Sequence, residues 1–200
     1  GSIESDESDK VIGFEEKPET PKSDQASMGI YVFNTAALKK LVFEDKYDLF
    51  DFGNDIIPFS LNQNYKVSAY KFQHYFRDVG TVESLYEANM DLIDNPQFLK
   101  LHEYVDFPVY TKSSNLPPHH FGDKCIVNNS LISDGCLIYG DVYHSVISSG
   151  TYIARKTTVK NSIVYENVRL EEQVKLENAI VLKNTIIPPN TTLIFDEITI

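Results

Sequence analysis

The chain has 200 residues, 42% of them hydrophobic, and 18 Lys and Arg against 29 Asp and Glu give a formal net charge of −11. That is enough apolar material for one large domain or two small ones. The acidic balance excludes a role built on attraction to a nucleic-acid backbone, which needs a basic stripe.

A small phosphorylated substrate is still admissible, because one lysine and one metal ion neutralise a single phosphate locally. Cys125 and Cys136 make no disulfide framework and no metal-ligand spacing, so reduced thiols in a cytoplasmic protein are expected. No stretch approaches the roughly 20 apolar residues of a membrane span, and no basic-then-apolar leader opens the chain, so no membrane partner is expected. The chain begins at once with strand-like residues around a charged turn, "IESDESDKVIGF", which reads as a piece of something longer.

Residues 1–97 alternate strand and helix signals, the mark of an α/β sheet domain. "ESDESD" reads as a solvated loop between two strands. "GFEEKP" (13–18) follows, with Lys17 between acidic residues and a proline. A single ammonium after a strand would hold a sugar phosphate, with Glu16 accepting from a sugar hydroxyl and Pro18 fixing the exit path. The plain alternative is a solvated surface lysine.

"SMGIYVF" (27–33) is a compact apolar run that predicts a buried strand. Ser27 at its start would donate to a sugar hydroxyl, or would simply pack. Asn34 and Thr35 are good N-cap residues for a helix carrying Leu38, Leu41 and Val42. "DFGNDIIP" puts Phe52, Ile56 and Ile57 on one helical face, with Pro58 expected to stop it. Residues 66–76 read as extended. "RDVGT" is a turn, and Thr81 caps a helix whose inner side is Val82, Leu85, Tyr86, Met90 and Ile93. Asp78 in that turn would bind Mg²⁺ through one carboxylate oxygen, since magnesium takes few protein carboxylates. The alternative is a turn aspartate paired with Arg77.

Residues 98–124 carry three prolines and no sustained periodicity, and read as a connector. Its paired His119 and His120 lie near no carboxylate cluster. From 125 to 200 the chain repeats: "NSLI" (129–132), "HSVI" (144–147), "NSIV" (161–164) and "NAIV" (178–181). Aliphatic residues recur about six apart, as Ile147, Ile153, Val159, then Val164, Leu170, Leu176, then Val181, Ile187, Leu193. This rhythm predicts a hexapeptide β-helix with three short parallel strands per coil, each coil burying the next one's aliphatic face. The first unit is two residues short, so its third corner should be irregular. His144 stands where other repeats carry Asn, which points to a corner hydrogen bond rather than catalysis.

Taken together, "GFEEKP", "ASMGIYVF", "DFGNDIIP", "RDVGTVESLYEANMDL", "LPPHHF" and "NSLISDGC" resemble ADP-glucose pyrophosphorylase, in order from about residue 11 to 193. The resemblance implies a partial Rossmann-like nucleotidyltransferase domain followed by a left-handed parallel β-helix, assembled in the complete protein as a homo- or hetero-tetramer. It implies a Mg²⁺-dependent reaction of ATP and glucose 1-phosphate to ADP-glucose and pyrophosphate, supplying glycogen synthesis. Carried over, Lys17 would bind the sugar phosphate, Glu16 and Ser27 the glucose, and Asp78 the metal.

The departures bear on activity. The family's glycine-rich nucleotide loop and its catalytic aspartate belong to the first half of the catalytic domain, and neither is among these residues. The chain therefore resembles the C-terminal portion, keeping the sugar-phosphate side without most of the ATP side, and it is expected to be inactive alone. Phe76 stands where the family usually has tryptophan, and Leu49-Phe50 where bacterial members often have Ser-His. Two other readings are open: a non-catalytic assembly or regulatory subunit of the same family, and a hexapeptide-repeat acyltransferase using a histidine base.

Overall fold

The computed structural model describes residues 1–43, 48–96, 110, 112 and 114–200. Most of the stretch read as a connector therefore lies outside the described residues. The chain divides into two compact units, Gly1–Phe76 and Arg77–Ile200.

In the first unit, β1 (Ser2–Ser5) pairs antiparallel with β2 (Val11–Glu15), in the register Ile3 to Phe14. The acidic loop between them is a built turn. Asp6 accepts from the backbone N–H groups of Ser8 (2.9 Å) and Lys10 (3.0 Å) and from the Ser8 hydroxyl, and Asp9 takes a left-handed φ of 59°. These donors favour the anion and hold the Asp6 carboxyl below its ordinary range, the Ser8 hydroxyl foremost.

Helix α1 (Thr35–Phe43) starts as expected, with Asn34 Oδ1 accepting from the Ala36 N–H at 3.0 Å, and it buries Leu41. Asp51 caps a wide turn over Phe52–Ile56, in which the Ile56 N–H reaches the Asp51 carbonyl five residues back at 2.9 Å. That turn runs into α2 (Ile57–Asn62).

Two expectations are corrected here. Pro58 does not end the helix: it sits in the first turn of α2, where its fixed φ suits the helix. Residues 27–33 do not form a buried strand. Gly29 adopts a left-handed φ of 72° and breaks the extended run, while Ile30 and Val32 lie 74% and 98% exposed. A strand exists only where neighbours take its N–H and C=O groups, and among the described residues the pairing stops at Ser27, whose N–H bonds to the Gly1 carbonyl at 2.8 Å. Alternation survives all the same, for Tyr31 and Phe33 turn the other way onto Phe52. The extended stretch 66–76 meets the start of β2 through the Val11 N–H, which bonds to the Val67 carbonyl at 2.9 Å, beside a bridge between Lys10 and Ser68.

The second unit holds a parallel β-solenoid with a helix against it. Three ladders stack in register. One joins β4 (Val127–Asn128), β7 (Asp141–Tyr143), β10 (Thr158–Lys160), β13 (Lys175–Val181) and β15 (Thr192–Thr199). Another joins β5 (Leu131–Ile132), β8 (Val146–Ile147), β11 (Ile163–Val164) and the end of β13. The third joins β3 (His120–Phe121), β6 (Leu137–Ile138), β9 (Tyr152–Ile153), β12 (Arg169–Leu170) and β14 (Ile186–Ile187). Since β3 pairs with β6, the solenoid's strands begin at His120.

The aliphatic residues expected at six-residue intervals form the core. Ile147, Ile153, Val159, Val164, Leu170, Leu176, Val181 and Ile187 are buried together, with Leu193 packed on them. Polar groups inside are matched coil by coil. Ser130 Oγ accepts from the Ser145 N–H, Ser145 Oγ from the Ser162 N–H, and Ser162 Oγ from the Ala179 N–H, at 3.1, 3.1 and 3.2 Å. This serine column satisfies donors that burial would otherwise leave unpaired.

Corners turn through left-handed residues: Asn129, His144, Asn161 and Asn178 have φ of 42°, 44°, 43° and 56°. Asn tolerates that conformation better than most side chains. The irregular third corner falls at Gly140. Asp141 pairs with Thr158, so one glycine does the work of residues 155–157 in the next coil.

Helix α3 (Val82–Asp94) begins at a reciprocal cap: Thr81 Oγ1 accepts from the Ser84 N–H and Ser84 Oγ from the Thr81 N–H. Its expected inner side holds. Met90 is buried with Ile163 and Ile180, and Val82, Leu85, Tyr86 and Ile93 pack around them. Among the described residues, no helix is long and apolar enough to cross a membrane.

Candidate functional site

In the first unit, β2 delivers Glu16 and Lys17 at its C-terminal end. Lys17 has φ 46°, a left-handed conformation that a non-glycine residue enters at a cost on the order of 1 kcal/mol. The residue before a proline is ordinarily driven to extended backbone, so the bend at Lys17-Pro18 is held against local preference. Lys17 lines an open groove of about 450 Å³ with Pro18, Pro21, Ser23, Asp24 and Gln25. Its side chain is exposed and has no ion-pair partner among the described residues.

Glu16 lies half-buried over Gly53. A Cβ at Gly53 would stand 2.5 Å from Glu16 Oε2, so only glycine lets the carboxylate lie there. The same oxygen is 3.3 Å from the amino group of Gly1. Ser27 Oγ accepts from the Gly29 N–H at 3.2 Å and lies 3.1 Å from Tyr31 Oη. Tyr31 stacks on Phe52, with ring centroids 5.6 Å apart. Asp51 is held below its ordinary carboxyl range, first by the Asn54 N–H, with the Lys17 ammonium adding to the effect.

Three segments therefore meet: Glu16-Lys17, Ser27-Tyr31 and Asp51-Gly53. A cation, a carboxylate and hydroxyls side by side can bind a phosphorylated polyol. Tyr31, Asp51 and Gly53 were missed in the sequence reading. Tyr31 lies four residues after Ser27, and the Asp-Phe-Gly run is read for its helical face and for its resemblance, with no site role given to its residues.

Asp78 belongs to the second unit. It is exposed and makes no hydrogen bond or ion pair with another described residue. Arg77 reaches instead to Glu87 and Asp91 on α3. Among the described residues no group of three or more His, Cys, Asp or Glu gathers as a metal cage. An open carboxylate suits magnesium, which takes one or two carboxylates and completes its shell with phosphate oxygens and water.

Among the described residues, His119, His120 and His144 do not gather into a catalytic group. His119 and His120 are exposed and touch the rings of Phe121 and Tyr139. His144 has both ring nitrogens engaged, Nδ1 with Asn161 at 2.9 Å and Nε2 with Asp94 at 3.0 Å. It is the corner residue its place in the repeat implied, and neither nitrogen is open to serve as a base for acyl transfer.

Comparison with known proteins matches a nucleotidyl transferase family over residues 1–95 and a GlmU-like C-terminal hexapeptide family over residues 116–198. Glucose-1-phosphate adenylyltransferase of Clostridium acetobutylicum is 43% identical over 162 residues, 80% of this chain and 42% of that protein. The protein of that name from Desulforamulus reducens is 41% identical over 80% of this chain and 41% of its own length. That of Bacillus subtilis is 46% identical over 74% of this chain and 40% of its own length. The chain spans about two fifths of the length of the curated relatives it matches. Both family matches fall on the two architectures seen in the structure, and over about four fifths of its length the chain is similar to glucose-1-phosphate adenylyltransferases.

Proposed function

We propose that this chain supplies the sugar-phosphate side of an adenylyltransferase that joins ATP and glucose 1-phosphate to give ADP-glucose and pyrophosphate for glycogen synthesis. The reading is carried by Lys17, an ammonium with no ion-pair partner among the described residues, on a bent strand end and facing a groove beside Glu16. In it, Lys17 holds the phosphate of glucose 1-phosphate, and Glu16 and Ser27 accept from or donate to the glucose hydroxyls. Tyr31 keeps Ser27 oriented, and the Lys17 ammonium stays close enough to Asp51 to favour its anion.

So held, a phosphate oxygen of the sugar attacks the α-phosphorus of ATP in line as the bond to the pyrophosphate leaving group breaks. The contribution of these residues is alignment of the nucleophile and neutralisation of its charge. Asp78 would be one ligand of a magnesium ion, which when bound neutralises phosphate charge. The ATP-binding loop and the catalytic aspartate would come from the remainder of the protein. The complete enzyme is taken to be cytoplasmic and tetrameric.

The test is Lys17→Ala in the complete polypeptide. A charge-assisted contact to the sugar phosphate is worth enough that the KM for glucose 1-phosphate should rise roughly ten- to hundredfold, while that for ATP stays within about twofold. Equal effects on both substrates would remove the role given to Lys17.

A further inference from the structure

Arg77 is partly buried, and its guanidinium straddles two carboxylates on α3. Nε donates to Asp91 Oδ2 at 2.7 Å, Nη2 lies 2.7 Å from the same oxygen, and Nη1 donates to Glu87 Oε2. Glu87 and Asp91 are four residues apart and so share one helix face. Asp91 is only 13% exposed, which makes this more than a solvated surface pair.

Helix α3 is itself fixed. The Thr81–Ser84 cap sets its start, Met90 packs on Ile163 and Ile180 of the solenoid, and Asp94 at its last turn meets His144. The segment from Arg77 to Thr81 is therefore tied at one end by the guanidinium and at the other by the cap. Asp78 lies between these ties, next to Arg77, with its carboxylate exposed.

We infer that Arg77 is a positioning residue for Asp78: through Glu87 and Asp91 it registers the Asp78 carboxylate against α3 and hence against the solenoid. This rests on the metal role proposed above for Asp78. The β-helix then has a part in the reaction beyond assembly, because it anchors the helix that orients a metal ligand. Groups that orient a ligand are commonly worth ten- to hundredfold in metal affinity. Lysine cannot replace arginine in such a place, since a point ammonium does not span two carboxylates.

The test measures manganese(II) binding, in the presence of ATP, to the complete polypeptide by electron paramagnetic resonance, together with steady-state kinetics. Asp78→Asn should weaken manganese binding. Arg77→Lys, which keeps the charge and loses the fork, should weaken it on the order of tenfold while the KM for glucose 1-phosphate stays unchanged. Asp91→Asn should reproduce the Arg77→Lys result, and it takes its place if that variant does not fold. Normal manganese affinity in Arg77→Lys and Asp91→Asn, with Asp78→Asn impaired, would overturn the inference alone. Normal affinity in Asp78→Asn would overturn the metal role of Asp78 and the inference with it.

Discussion

His144 Nε2 lies 3.0 Å from Asp94 Oδ1 while its Nδ1 lies 2.9 Å from Asn161 Oδ1, so one corner side chain joins a solenoid coil both to its neighbour and to the end of α3. Asparagine at the same corner of the other coils is too short to do both. The sequence oddity, His where the repeat carries Asn, thus has a physical use.

Replacing His144 by Asn should leave the left-handed corner intact and remove only the link to Asp94. Because the pair is partly exposed, the loss in unfolding free energy should be below about 1 kcal/mol. The sharper readout is local: amide hydrogen exchange should quicken over Met90–Asp94 and stay unchanged in the coils. Unchanged exchange in that last turn would show that packing alone holds the helix.

The two cysteines should behave differently. Cys136 is fully buried in the solenoid core, and burial pushes its thiol up from its ordinary range, whereas Cys125 is partly exposed. The thiolate is the reactive form, so Cys136 is disfavoured both by access and by ionisation. Brief treatment with iodoacetamide at pH 8, read by mass spectrometry of peptides, should modify Cys125 and spare Cys136 until denaturant is added. Equal labelling in the native protein would mean that the core opens.

The solenoid was legible in the sequence because each inward position is stated again every coil, and a repeated signal survives local exceptions. Helix α3 was legible for a related reason, its cap and its apolar stripe both being local. The failures are non-local. Residues 27–33 have a strand's composition, but a strand is a relation to neighbours, and Gly29 bends this one away from the pattern. Glu16 and Gly53 are far apart in the chain, and nothing near either announces that the glycine clears space for the carboxylate. Arg77 was weighed against its neighbour Asp78, the nearest acid in sequence, while its partners lie on the following helix, ten and fourteen residues on. Pro58 shows the opposite error, in which a local rule was applied at the wrong end of a helix.

Gly140 makes the sharpest demand on sequence in the solenoid, and it can be tested against a second glycine. A Cβ at Gly140 would press on the backbone carbonyl oxygen of Thr157 and stand 2.7 Å from that of Ala154. Neither can retreat freely, because the Asp141 N–H bonds to Thr157 O at 2.8 Å and the Thr157 N–H to Ala154 O at 3.4 Å. At Gly122 the obstacle is the ring of Tyr139, with Cδ1 at 2.7 Å, and a side chain can swing aside. Gly140→Ala should therefore destabilise the protein by about 3 kcal/mol, and Gly122→Ala by about 1 kcal/mol. Denaturant melts of both variants, followed by circular dichroism, make the comparison. Similar midpoints for the two would mean that the short corner has slack, and that the two-residue deletion is absorbed elsewhere than at Gly140.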